Sequence, residues 1–216
     1  MSQIRLRVVS AEFLTNHIVA EPLLRQDHKC NQLLIDALNF QLTRVTERND
    51  SFHLFLVSGT RDCVITTKEC KVYDVSKKKL FSNPNMNENR FNNSAVSLNG
   101  VIYSVSGYNN GVLNTAEYYD PVSKRWSYIA PMNNGRKGCG ICTYNDLIYV
   151  VGGRSSTVES YDPATNKWHL CQPIPGTNEG FNRATVAENS IYSLTRVTNG
   201  NNALFRFDPR WDTIKS

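Results

Sequence analysis

The sequence predicts a mainly β chain in which small antiparallel sheets repeat and stack radially, preceded by a short α-helical segment. Three observations carry this. An aromatic-Asp motif recurs with its aspartates at 74, 120, 162 and 208, spaced by 46, 42 and 46 residues. After about residue 50, short apolar runs (HLFLVSG, GVIYSVSG, LIYVVGG, SIYSLT) alternate with Gly, Asn and Asp, which is strand and turn composition. The first 45 residues follow a helical period instead.

In that leading segment Ser10 is placed as a helix N-cap, with Glu12 in the first turn where it favours the helix dipole. Phe13, Leu14 and Ile18 would share one side, and Pro22 starts a second helix. Cys30, Leu33, Leu34, Ala37 and Leu38 then fall at i, i+3, i+4, i+7 and i+8, an apolar stripe. Two short helices bury little alone and need a partner surface. Residues 1–45 are read as this helical segment, 46–51 as a polar linker, and 52–216 as repeats (52–90, 91–136, 137–183 and a partial 184–216).

Within the repeats several markers keep one register. Asp74 and Leu80, Asp120 and Trp126, and Asp162 and Trp168 are each six apart, whereas Asp208 has Trp211 only three later. Tyr73, Tyr119 and Tyr161 precede their aspartates, and Tyr103, Tyr149 and Tyr192 each end an Ile-Tyr pair. Met86, Met132 and Ile174 follow the Trp-type position by six, and Arg90 and Arg136 follow it by ten. Glycines recur at Gly59, Gly107 and Gly152–Gly153, where the backbone must turn tightly. One small twisted sheet cannot bury both faces. Stacking such sheets around an axis buries them against each other, with aromatics filling the space between. The Tyr-Asp aspartates are read as turn caps.

The order GxIYxxGG…ExYDP…W…PM…R resembles the kelch repeat, best in 91–136 and 137–183. Ser58–Gly59 and Ser106–Gly107 stand where the third copy has its double glycine. The segment VVSAEFLTNHIVAEPLLRQDHKCNQLLIDALNFQL is similar to the end of a BACK domain, which in kelch-like proteins lies between BTB and kelch regions. The resemblance implies a partial kelch β-propeller of four-stranded antiparallel blades behind part of BACK, truncated relative to the family. It implies a substrate adaptor of a cullin-RING ubiquitin ligase, the propeller holding the target for ubiquitin transfer. A cullin would be reached through a BTB-containing partner. Some kelch proteins bind actin, which makes an actin-binding scaffold the alternative. Three and a half blades leave open edges, so self-association is expected.

Contacts to a target protein are expected from loops after the glycine-containing strands, at 60–68, 108–115, 154–157 and 196–202, since recognition concentrates in loops on a rigid frame. Arg61, Tyr108, Arg154 and Arg196 are the candidates, Arg and Tyr being common interface anchors. Arg90 and Arg136 also qualify, although their fixed position fits a structural role bonding loop carbonyls equally well.

Net charge is only +5, and the longest basic run is Lys77–Lys79, which reads as a solvated turn and gives no case for nucleic acid. No stretch reaches the ~18 apolar residues of a membrane helix. The N-terminus has charges inside its apolar stretch and no clear signal-peptide cleavage site. A cytoplasmic location with reduced cysteines is therefore expected. Cys139 and Cys142 form a C-x-x-C within strand sequence, outside the helix-start setting of redox motifs, and no second pair gives a zinc spacing. The four histidines are isolated, and there is no G-x-S-x-G, Walker or G-x-G-x-x-G motif. No catalytic residue, metal or cofactor is expected.

Overall fold

Strand-forming residues alternate with tight turns along the whole of the described chain, which in this computed structural model comprises residues 44–46, 52–61, 65–174, 182–196, 202–210 and 213–215. The helical segment proposed for 1–45 lies outside these residues except at its end. The first sheet holds β1 (Arg44–Thr46), β2 (Phe52–Arg61), β3 (Ile65–Asp74) and β4 (Lys79–Asn83). The second holds β5 (Ser94–Leu98), β6 (Val101–Val105), β7 (Ala116–Asp120) and β8 (Arg125–Tyr128). The third holds β9 (Gly140–Tyr144), β10 (Leu147–Val151), β11 (Val158–Asp162) and β12 (Lys167–Cys171). The fourth holds β13 (Arg183–Ala187), β14 (Ser190–Arg196), β15 (Asn202–Asp208) and β16 (Thr213–Lys215). Each sheet is an antiparallel meander in chain order. The first begins earlier than the repeat boundary at 52, because Arg44–Thr46, placed by the sequence at the helix–linker junction, pairs with the start of β2.

The burial of the strands explains their composition. β6 and β10 are apolar on both sides and buried throughout apart from their first residues. The outer strands β4, β8 and β12 expose much of their length, and their patterns are polar accordingly. Sheets pack face to face. Val57, Cys70 and Met86 meet Ala95, Ile102, Tyr119 and Trp126 between the first and second. Val96, Tyr103 and Val105 meet Ile141, Ile148, Val150 and Tyr161 between the second and third. Cys142, Tyr149 and Val151 meet Ala184, Ile191, Phe205 and Phe207 between the third and fourth. The leading strands β5, β9 and β13 lie side by side, closely enough that a Cβ on Gly140 would stand 2.8 Å from the Ala184 nitrogen.

The repeated aromatics have two physical functions. Tyr119 pairs across strands with Trp126, and Tyr161 with Trp168, their rings 5.4 and 4.9 Å apart. Each indole then donates to the connection leaving the preceding sheet, Trp126 to the Pro84 carbonyl at 2.9 Å and Trp168 to that of Ala130 at 2.7 Å. In the first sheet Tyr73 pairs with Leu80. In the fourth, Phe207 pairs with Ile214, which is six beyond Asp208, so the register survives without Trp211.

The aspartates cap turns. Asp74 accepts from the Lys77 amide at 3.0 Å, Asp120 from Val122 at 2.9 Å, Asp162 from Ala164 at 2.9 Å and Asp208 from Arg210 at 3.1 Å. Lys78, Lys124 and Asn166 close three of these turns with φ near +50°.

Candidate protein-binding face

Two kinds of connection meet at one end of the sheets: those joining second to third strands, and those joining successive sheets. Phe91 bridges Tyr108, Leu113 bridges Arg136, and Thr67 bridges Arg90. The Lys137 amide donates to the Gly153 carbonyl at 3.2 Å. The second-to-third connections differ while the sheets repeat. The first shrinks to 62–64, since Arg61 ends β2 and β3 starts at Ile65, so most of the loop expected over 60–68 is strand. The second is 106–115 and the third 152–157.

Tyr108 and Arg154 are exposed on this face. Arg61 and Arg196 end β2 and β14 in cross-strand register with Ile65 and Asn202, at the same end; their side chains lie outside the described residues. Gly107, Gly152 and Gly153 adopt φ of +116°, +67° and +85°. A Cβ on Gly153 would sit 2.7 Å from that of Cys139, so glycine is required by close approach as well as by its dihedral. Ser58 and Ser106, in the register of Gly152, take the same left-handed conformation at +69° and +65°. Ser58 offsets this by donating to the Arg90 carbonyl, and its hydroxyl also lies 2.8 Å from the Thr67 carbonyl oxygen.

Arg90 and Arg136 are not contact residues. Both are 0% exposed, beneath the loops rather than on them. Arg90 donates through Nη1 to the Ser106 and Thr115 carbonyls at 2.9 and 2.8 Å, and through Nη2 to Glu117 at 3.1 Å. Arg136 repeats this with the Gly152 and Thr157 carbonyls at 2.8 and 2.6 Å and Glu159 at 2.6 Å. A buried guanidinium needs a carboxylate and carbonyls to replace lost hydration, and the following sheet supplies both. Each glutamate also accepts from the connection carrying its arginine: Glu117 from Asn87 N–H at 2.7 Å, and Glu159 from Asn133 N–H at 2.7 Å. Burial would raise the Glu159 carboxyl, but the Arg136 hydrogen bond and charge outweigh it and hold the group below its ordinary range.

Glu117 and Glu159 were not among the residues singled out as functional. The signal was present: each stands three before its aspartate, where the next copy has Phe205 before Asp208.

Cys139 and Cys142 pack at the start of the third sheet. Burial pushes the Cys142 thiol up to about 12, the opposite of what a nucleophile needs. Among the described residues, no group of three or more His, Cys, Asp or Glu is placed to hold a metal ion.

The family model of the Kelch motif matches residues 89–133 and 135–175. The chain carries kelch motifs. It is similar to mouse Kelch-like protein 9, 27% identical over 173 residues that cover 72% of this chain and 28% of that protein. Human Kelch-like protein 31 is 28% identical over 181 residues, with 72% and 28% covered. Kelch-like protein 23 of Pongo abelii is 40% identical over 65 residues, 30% of this chain and 12% of that one. The chain thus spans about a quarter of the length of the curated relatives whose matches run longest. The solved structure of YjhT superposes with a TM-score of 0.61 at 14% identity, over 79% of this chain and 63% of that one, a likeness of fold.

Proposed function

We propose that this chain is a target-binding kelch module, recognising another protein through the face where the second-to-third-strand loops and the inter-sheet connections meet. The observation that carries the reading is contrast within a repeat: strands, caps and the Trp positions recur, while the loops at this end differ in length and chemistry and expose Tyr108, Val112 and Arg154. A fixed frame with variable loops suits recognition, and no described constellation on this face suits catalysis.

The kelch-like relatives support a more specific role, as the substrate-recognition part of a cullin-RING ubiquitin ligase in the cytoplasm. Cullin contact would then come through a BTB-containing polypeptide, and the enzyme would be the ligase rather than this chain. Affinity capture of the tagged chain followed by mass spectrometry tests this. A cullin recovered together with one enriched target, the target lost when Tyr108 and Val112 are replaced by Asp, is the expected result. Actin alone, confirmed by cosedimentation with filaments, would move the reading to a cytoskeletal scaffold. Recovery of chaperones alone would refute both.

A further inference from the structure

We propose that Asn110 is a modification site at which the chain alters itself: its side-chain amide is lost through a cyclic imide with the Gly111 nitrogen, leaving aspartate or isoaspartate in its place. The site rests on local geometry and stands whatever this face binds.

The chemistry needs only the two neighbours and water. The Gly111 nitrogen attacks Asn110 Cγ, the new N–C bond closes an imide ring, and the Cγ–Nδ2 bond breaks. Ammonia leaves, carrying the proton given up by the Gly111 nitrogen. Water then opens either imide carbonyl. One opening gives aspartate, and the other gives isoaspartate, in which the chain runs through the side-chain carbon. Nothing is oxidised or reduced. A glycine after asparagine favours the attack, because no Cβ shields the nitrogen and the backbone rotates freely into line. Asparagine is one of the thermolabile residues.

Asn-Gly pairs lie among the described residues at 99–100, 110–111 and 134–135, and the fold treats them differently; a further pair at 199–200 lies outside them. Asn99 Nδ2 donates to Asp146 Oδ1 at 3.2 Å, and Gly100 is buried in the tight turn between paired Leu98 and Val101. Asn134 is held twice by Glu159 Oε1, through its backbone N–H at 3.1 Å and through Nδ2 at 3.5 Å. A Cβ on Gly135 would stand 3.2 Å from the Val112 carbonyl oxygen.

Asn110 is exposed at the tip of a turn closed by the Tyr108–Val112 bridge. The closing bonds run from the Asn109 N–H to the Gly111 carbonyl and from the Leu113 N–H to the Gly107 carbonyl, each 2.9 Å, so they occupy the Gly111 oxygen and not its nitrogen. Among the described residues neither the Asn110 side chain nor the Gly111 N–H has a hydrogen-bond partner, and nothing stands within 4 Å of a Cβ built on Gly111. Amide and nitrogen are therefore both unbonded and uncrowded at 110–111, whereas the other two pairs must first break a bond to the asparagine side chain. The product puts a carboxylate on the loop face, and isoaspartate also lengthens the backbone between Tyr108 and Val112.

Incubation of the full chain in mildly alkaline, ammonia-free buffer tests this. Conversion is followed by peptide mapping with mass spectrometry, and isoaspartate by labelling with an isoaspartyl methyltransferase and S-adenosylmethionine. Amide-to-acid conversion at Asn110 is expected to run at least ~5-fold faster than at Asn99 or Asn134, the factor set by one side-chain hydrogen bond. In denaturant the three rates should converge. Gly111→Ala places its Cβ in open space at a φ outside the left-handed region, so it should melt like the wild type while slowing conversion at Asn110 several-fold. Equal native rates at the three pairs overturn the inference. So does a preference that persists unchanged in denaturant, which assigns it to sequence and not to the fold. Conversion at Asn110 that ignores Gly111→Ala overturns the imide route and the proposal with it.

Discussion

Arg136 Nη2 lies 2.6 Å from Glu159 Oε1, both side chains wholly buried and contributed by successive repeats. The pair fastens the end of one repeat to the middle of the next. Glu159→Leu strands a buried guanidinium and is expected to cost about 3–5 kcal/mol. Arg136→Met is also destabilising, because the Gly152 and Thr157 carbonyls lose their donor. Urea unfolding of both single variants and the double is expected to show a coupling energy of ~1–3 kcal/mol. Strict additivity would show that the two groups do not act together.

Gly153→Ala meets two obstacles, a φ of +85° and a Cβ–Cβ distance of 2.7 Å to Cys139. The first alone costs about 1 kcal/mol, and the clash adds overpacking of ~1–3 kcal/mol. Cys139→Gly in the same chain removes the nearest opposing atom but leaves the Cys139 Cα and nitrogen at 3.0 Å, so it should relieve only part of the clash and none of the dihedral cost. Denaturant midpoints of the three variants check this; full restoration would place the cost in the clash alone.

The frame was legible in the sequence because its devices are local. Tyr119, Asp120 and Trp126 lie within one hairpin, so their spacing repeats and identifies strand, turn and strand. Arg136 and Glu159 are 23 residues apart, and burial of the arginine depends on a carboxylate from the next copy. Read residue by residue, an arginine beside loops suits either surface or interior, and only the pairing decides. The exposure of Tyr108 and Arg154 follows from their loops, whereas the placement of Lys137 over the Tyr108 ring depends on how two connections cross, which no local pattern shows.

Acid should weaken the turns. The Arg210 side chain and amide hold the Asp208 carboxyl down at about 2, and hydroxyl or amide donors hold Asp74, Asp120 and Asp162 below their ordinary value. A depressed folded-state value means the contribution is present above the unfolded carboxylate range near pH ~3.9 and disappears as pH falls through about 2 for Asp208. Stability measured from pH 6 to pH 2 should fall most steeply below pH ~4, and Asp208→Asn should flatten that fall. An unchanged slope in the variant would assign the acid sensitivity elsewhere.

Thiol labelling should sort the cysteines by burial. Cys70 and Cys142 are both pushed up to about 12, mainly by burial, whereas Cys171 is partly exposed. Peptide mapping after reagent treatment at pH 8 should find Cys171 modified in the native protein, with Cys70 and Cys142 modified only in denaturant. Rapid native labelling of Cys142 would contradict its packed position in the third sheet.

Trp168 both stacks on Tyr161 and donates to Ala130. Trp168→Phe keeps the ring and loses the donor, for about 1–3 kcal/mol; Trp168→Ala loses both, for about 3–5 kcal/mol. Equal losses in urea unfolding would show that the hydrogen bond contributes nothing.

The replacement of the glutamate position by Phe205 changes how the last junction responds to temperature. The first two junctions combine apolar packing with a buried ion pair, and the third is apolar, with no ion pair among its described residues. Hydrophobic association weakens on cooling, so cold acts most strongly where it stands alone. Cold is therefore expected to weaken the described apolar contacts of the fourth sheet more than the buried Arg–Glu pairs of the first two junctions.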